Sequence, residues 1–222
     1  MVTYPTGSIT GIIWNDLNYN GIRDTGETGD HAVTVNLERW YYKDGTWTKD
    51  TGFAQSFTTG TDGNYEFKDL PTYVEDGGKR YLAGYRMKLA AVPDGYGITL
   101  YRQGSNRSLD SDLKSDDLYL VRDNEYVIVA QTAVKNDDQT TYNYTAVTIT
   151  DVDNQQVVYD MLTSRNTAGQ DGGLLHEPTA SISGSVWVDS DYNGLWNQPV
   201  ETAYRGRDID VILTRAYYNG TT

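Results

Sequence analysis

Apolar and polar side chains alternate with a period of two in short runs along this chain, and no run carries a convincing helical spacing. Near the start, SITGIIW is short, β-branched and bounded by glycine. Val33, Val35 and Leu37 then alternate with Thr34, Asn36 and Glu38, the pattern of a half-buried strand. TDGNYEF sets an Asp62-Gly63 turn beside Tyr65 and Phe67, which predicts a hairpin. Tyr85, Met87 and Leu89 alternate before a turn at Pro93-Asp94-Gly95, and EYVIVAQTAV and QQVVYDML read as two further strands. The 19 tyrosines, with many valines and threonines, favour sheet. The pattern predicts an all-β sandwich.

Between the first two strands stands DLNYNGIRDTGE, residues 16–27. Asp16, Asn18, Asn20, Asp24 and Glu27 fill positions 1, 3, 5, 9 and 12 of an EF-hand calcium loop, with Gly21 at the sharp turn. Ile22, at position 7, offers its carbonyl. Calcium takes six to eight oxygens in flexible geometry, whereas magnesium prefers compact octahedral sites. The loop is expected to bind Ca2+ although strands, not helices, flank it.

The opening returns later in the chain. ITGIIWNDLNYNG recurs as ISGSVWVDSDYNG, and VNLERWYY as VILTRAYY three residues out of phase. This predicts a complete unit over residues 7–176, a linker at 177–180 around Pro178, and the start of a second repeat over 181–222. The second loop, DSDYNGLWNQPVE, offers Asp189, Asp191, Asn193, the Leu195 carbonyl and Glu201, but its Glu falls one position late, at 13, with Asn197 at 9. It either binds metal more loosely or does not bind it. Two strands cannot bury both faces of a sandwich, so this segment is expected to be an unstable tail or to pair with a neighbouring chain.

Charge narrows the function. Among 222 residues, 31 Asp and Glu face 18 Lys and Arg, a formal net charge of −13. Such a surface repels nucleic acid and anionic membranes and suits hard cations. No apolar run approaches the roughly 20 residues needed to cross a bilayer, and MVTYPTG has neither the basic nor the apolar region of a signal peptide. Absence of cysteine excludes disulfides and thiolate metal sites. The chain reads as a piece of something larger. Catalysis finds little support: the histidines are His31 and His176, and neither H-E-x-x-H nor G-x-S-x-G occurs. Trp40, Tyr41, Tyr42, Trp47 and Tyr101 are expected in the core and on the sheet surface rather than as a sugar platform.

The succession SITGIIWNDLNYNGIRDTGE, TDGNYEFKDLP, PDGY, LDSD and DGGL resembles the serine-aspartate-repeat (Sdr) B-type domain, within the collagen-adhesin B-type (Cna B) superfamily of Gram-positive surface proteins. The resemblance covers roughly residues 7–114 and 165–222. It implies an immunoglobulin-like β-sandwich, stiffened by calcium and arrayed as an extracellular stalk in a cell-wall-anchored adhesin. Neighbouring repeats of the same polypeptide would then be its partners, with a host or cell-surface protein or glycan as a further partner. It also implies that Asp110 and Asp112 of LDSD contribute to additional calcium sites beside the first loop. The segment from Lys114 to about Thr163 exceeds the family pattern and reads as an insertion with strands of its own; its acidic runs DNE, NDD and DVDN read as exposed loops.

Two other functions compete. A protein- or carbohydrate-binding module would use the insertion and expose an aromatic cluster drawn from Tyr126, Tyr142 and Tyr144. An accessory domain of a secreted enzyme would have a catalytic partner elsewhere in the full-length protein. Many domains of the resembled superfamily carry a Lys–Asn isopeptide bond assisted by an acid. Here SITGIIW and SISGSVW hold no Lys, and Leu89 stands where the assisting Glu would be. Without a proton shuttle, attack of an amine on an amide is very slow. The intact mass is therefore expected to equal the sequence mass, and a species lighter by one ammonia would overturn that reading.

Overall fold

The computed structural model describes residues 5–29, 31–132, 146–150, 156–177, 181–197, 199–206 and 208–213. Every regular element among them is a strand. The chain divides into two compact units, Met1–Glu177 and Pro178–Thr222.

In the first unit, one sheet is built on β1 (Thr6–Asn15). On one side β1 pairs antiparallel with β4 (Asn64–Pro71); on the other it pairs parallel with β12 (Asn166–Thr167) and β13 (Gly172–His176). Beyond β13 lies β7 (Tyr96–Ile98). The second sheet runs β3 (Thr46–Thr58), β2 (Thr34–Lys43), β6 (Lys79–Leu89) and β5 (Tyr73–Asp76), with β8 (Tyr119–Leu120) on the far end of β6. A third, smaller sheet has β11 (Gln156–Ser164) between β10 (Ala146–Thr150) and β9 (Ala130–Thr132). This is the all-β sandwich that the alternation predicts, in the immunoglobulin-like form that the resemblance implies.

Period-two alternation makes the core. Ile9 and Ile13 of β1 and Tyr65 and Phe67 of β4 pack with Val35 and Leu37 of β2 and Tyr85, Met87 and Leu89 of β6. Burying one such side chain contributes about 1.5–3 kcal/mol.

One turn differs from the sequence reading. The Asp62-Gly63 turn forms, but it is not a hairpin: it carries the chain from β3 in one sheet to β4 in the other. Gly63 decides this. It has φ +73° and lies so close to β1 that a Cβ would stand 2.0 Å from the Ile13 carbonyl oxygen. Its own carbonyl accepts the Ile13 N–H at 2.9 Å, which starts the β1–β4 ladder. The tight hairpin is instead at Asp44-Gly45, where both residues have positive φ (51° and 83°), joining β2 to β3.

Residues 114–132 are woven into the first unit's core. Leu118, Leu120, Val127 and Val129 pack in or against the main cluster, and Val127 exchanges both backbone hydrogen bonds with Tyr85 on β6, at 2.9 and 2.8 Å. Ile128 and Ala130 point the other way, into a second small core with Leu82, Ile149, Tyr159 and Met161. The apolar run VIVA is thus buried on both faces. On the outer surface, Tyr126 stacks on Trp47 at 4.3 Å and Arg86 lies 3.7 Å from the Tyr119 ring centroid. Residues 133–145 and 151–155 lie outside the described residues, and with them NDD, DVDN, Tyr142 and Tyr144.

In the second unit, SISGSVW forms no strand among the described residues, contrary to the alternation. Among the described residues the regular pairing there is one bridge, Trp187 to Ala203. No described strand offers the SISGSVW backbone a ladder, so Ile182, Val211, Ile212 and Leu213 stand 80–85% exposed. The rest of VILTRAYY, and residues 178–180 of the expected linker, lie outside the described residues. Limited proteolysis is expected to separate the units between about residues 177 and 180 and to leave a stable fragment near 7–176. Equal protease resistance of residues 181–222 would show that they share the first unit's core.

Candidate metal centres

The first loop begins where β1 leaves the sheet. Asn15 still pairs with Leu174, and the Asp16 N–H donates to the Leu174 carbonyl at 2.6 Å. Asp16 is buried. Its Oδ2 accepts the Gly21 N–H at 2.8 Å and the Thr99 hydroxyl, and its Oδ1 accepts the Asn20 N–H at 3.3 Å. Asn18 Oδ1 accepts the Asn20 N–H at 3.2 Å, and Asn20 Oδ1 the Ile22 N–H at 2.6 Å. Glu27 closes the loop: its two oxygens accept the N–H groups of Leu17 and Asp24, each at 2.9 Å. Glu27 is buried.

Backbone conformation follows the same design. Tyr19 and Gly21 have φ of 63° and 76°, a fold-back that brings alternate side chains inward. A Cβ on Gly21 would stand 2.6 Å from the Leu100 carbonyl oxygen, so position 6 admits only glycine.

Asp24 is drawn to the amides of Asn18 and Asn20, each donating to its Oδ2 at 2.8 Å, and these bonds hold its carboxyl below the usual range. The carboxylates of Asp16, Asp24 and Glu27 accordingly do not converge to within 4.8 Å of one another. Turning either amide over would present its oxygen instead of its nitrogen.

The second loop reproduces these contacts. Asp189 accepts the N–H groups of Asn193 and Gly194 at 3.2 and 2.8 Å, and Asn193 Oδ1 that of Leu195 at 2.6 Å. Glu201 accepts the N–H groups of Ser190 and Asn197, each at 2.9 Å, the same two loop positions that Glu27 holds. The extra residue before Glu201 is absorbed in the turn. Where Glu27 N–H bonds the carbonyl three residues back, Glu201 N–H bonds the one four residues back, at 2.8 Å. Carboxylate oxygens of Asp189, Asp191 and Glu201 lie within 4.8 Å of one another.

A third acidic group abuts the first loop. Arg23 N–H donates to the Leu109 carbonyl at 2.6 Å and Ser111 N–H to the Gly21 carbonyl at 3.2 Å, tying residues 109–111 to loop 16–27. Asp110 and Asp112 are fully buried there, with Asp171 beside them. Asp112 Oδ2 accepts the Asp171 N–H at 3.1 Å, and Asp171 Oδ1 the Ile12 N–H at 3.0 Å. Both oxygens of Asp110 and Oδ1 of Asp112 are buried without a hydrogen-bond donor. Arginines stand off: Arg107 is 3.5 Å from Asp110 and 4.0 Å from Asp112, and Arg23 is 3.7 Å from Asp171. Burial, with the neighbouring carboxylates, raises the Asp112 carboxyl to about 7 and raises that of Asp171.

The sequence points to Asp110 and Asp112 but not to Asp171 or Thr99 as site residues, because the fold delivers those two from remote strands. A buried carboxylate with no donor is costly unless a cation faces it. The donor set is all oxygen, acidic and partly orphaned, and it fits a hard divalent ion.

Leu89 stands where the resemblance places the acid that assists an isopeptide bond. Leu89 is fully buried in the core, β1 holds no lysine, and none of the described lysines is buried. Lys43, Lys49 and Lys68 form surface ion pairs with Asp76, Glu38 and Glu66.

Residues 7–144 match the SdrD B-like domain family. The chain is also similar to the serine-aspartate repeat-containing protein D of Staphylococcus aureus strains Newman and MW2, 34% identical over 99 residues. That alignment covers 45% of this chain and 6% of the relative's length. The matched span continues past Lys114, in keeping with the contribution of Leu118, Leu120, Val127 and Val129 to the main core. The match extends over more than half of the chain, which belongs to the SdrD B-like domain family.

Proposed function

We propose that this chain is a calcium-stiffened spacer module of a cell-wall-anchored surface adhesin, non-enzymatic and extracellular. The observation that supports the calcium reading is the orphaned set of buried oxygens on Asp110 and Asp112, set against a loop whose backbone N–H groups turn in towards Asp16 and Glu27. Asp16, Asn18, Asn20, Ile22, Asp24 and Glu27 would hold one ion, and Asp110 and Asp112, with Asp171, another. Asp189, Asp191, Asn193, Leu195 and Glu201 would hold one in the second unit. Calcium supplies positive charge that the carboxylates share.

The chain's own residues do the mechanical work. Loop 16–27 joins β1 of one sheet to β2 of the other, and residues 109–113 cross beside it. Pinning both fixes the end of the sandwich against shear. Neighbouring repeats of the same polypeptide are the partners this mechanism needs.

A ligand-binding reading through the insertion is less well supported. Tyr126 lays its ring on Trp47 and, through the Arg86 stack, fastens the segment to the sheet. Single-molecule stretching of the full chain tests the spacer reading. Unfolding force in millimolar calcium is expected to exceed that in chelator, and equal forces would sink the stiffening role.

A further inference from the structure

The chain's two histidines meet at one tyrosine hydroxyl. Tyr96 bonds Nδ1 of His31 at 2.7 Å and Nε2 of His176 at 2.8 Å. We infer that His31, Tyr96 and His176 form a binding site for a divalent transition ion that prefers imidazole, such as Zn2+ or Cu2+, distinct from the oxygen-rich loops.

The fold sets these groups close together. Tyr96 opens β7 and is the cross-strand partner of His176, the last residue of β13. His31 comes from the connection between loop 16–27 and β2, and its carbonyl accepts the Thr59 hydroxyl at 3.1 Å. The His176 carbonyl accepts the Tyr19 hydroxyl at 3.3 Å. Both histidine backbones are therefore anchored within the first unit. The rings gather around Tyr96, with centroids 4.4 Å away for His31 and 4.2 Å for His176. Tyr96 is buried while His31 and His176 are exposed residues, so the cluster lies at the surface with the hydroxyl on its inner side.

The chemistry selects the class of ion. A hydroxyl has one proton, so Tyr96 donates to one imidazole and accepts N–H from the other. Two ring nitrogens thus point at a common centre, each one hydrogen-bond length from the same oxygen. Zinc–nitrogen bonds are about 2.0–2.1 Å, so an ion between the nitrogens takes the place the hydroxyl fills, with the rings drawing in and the Tyr96 oxygen withdrawing by about 2 Å. The Tyr96 oxygen turns aside to become a third donor, and water completes the shell. Two nitrogens and one oxygen suit Zn2+ and Cu2+, whereas Ca2+ takes oxygen ligands. Saturating calcium would leave this site available.

The test uses the full chain saturated with calcium. Calorimetric titration with zinc chloride is expected to give one tight event per chain, weakened at least tenfold in His31→Gln and equally in His176→Gln. With copper sulfate as probe, electron paramagnetic resonance is expected to show two coordinated nitrogens. An affinity unchanged in either variant, or a spectrum with fewer than two nitrogens, overturns the site. If a variant fails to fold by circular dichroism, diethyl pyrocarbonate labelling of the unsubstituted chain decides the question. Zinc is expected to protect both imidazoles, and unaltered labelling overturns the proposal.

Discussion

Removing calcium is expected to lower the thermal midpoint of this protein by several degrees. Extracellular calcium modules bind at about 10⁻⁴–10⁻³ M. At tenfold excess over the dissociation constant, linkage contributes roughly 1.4 kcal/mol per site. For a domain of this size each kcal/mol moves the midpoint by about 2–4 °C, so two filled sites in the first unit shift it by about 6–11 °C. The carboxylates reinforce the effect, because chelation leaves both oxygens of Asp110 and one of Asp112 buried without a partner. Calorimetric scans in calcium and in chelator measure the shift, and coincident scans would remove calcium from the account. Glu27→Gln tests the first loop alone. It keeps an acceptor for only one of the Leu17 and Asp24 N–H groups and turns an NH2 towards the other, so the chelated midpoint is expected to fall somewhat and, beyond that, part of the calcium shift to vanish.

How much of the fold and its sites is legible in the sequence follows from what is local. Val35 and Leu37, Tyr65 and Phe67, and Tyr85, Met87 and Leu89 alternate over a few residues, and every one of them is in the core. The path of loop 16–27 is likewise local, set by Asp16, Gly21 and Glu27 within twelve residues. Pairing is not. Asp44-Gly45 and Asp62-Gly63 carry the same dipeptide, yet one makes a hairpin and the other a crossing between sheets. The difference is the backbone contact of Gly63 with Ile13, fifty residues away in sequence and invisible to a local pattern. The role of Asp171 is hidden for the same reason. It lies in a short acidic-glycine motif whose partners, Asp112 and Ile12, are brought to it only by the parallel pairing of β13 with β1.

The buried acids also set a pH signature that distinguishes a calcium-binding domain from one that is merely acidic. Asp112 has its carboxyl raised from an ordinary 3.8 to about 7, chiefly by burial, and Asp171 moves in the same direction. In chelator the folded state therefore holds its protons more tightly than the unfolded chain. That stability is fully present below about pH 4 and is lost as pH rises towards about 7. The chelated domain is expected to become more stable on acidification from pH 7 to 5, by an amount on the order of a few kcal/mol. Calcium reverses the slope. The ion binds only the ionised carboxylates, so acidification must expel it, and the loaded domain is expected to lose stability over the same interval. Asp112→Asn sharpens the test, since the amide keeps an oxygen for the Asp171 N–H and never ionises. In chelator at pH 7.5 this variant is expected to melt above the unsubstituted protein, with a flatter pH profile and a smaller response to calcium. Melting curves at pH 5 and pH 7.5, with and without calcium, decide the matter. If both forms respond to acid in the same direction, Asp110, Asp112 and Asp171 are held by the arginines at 3.5–4.0 Å and the ion plays no part there.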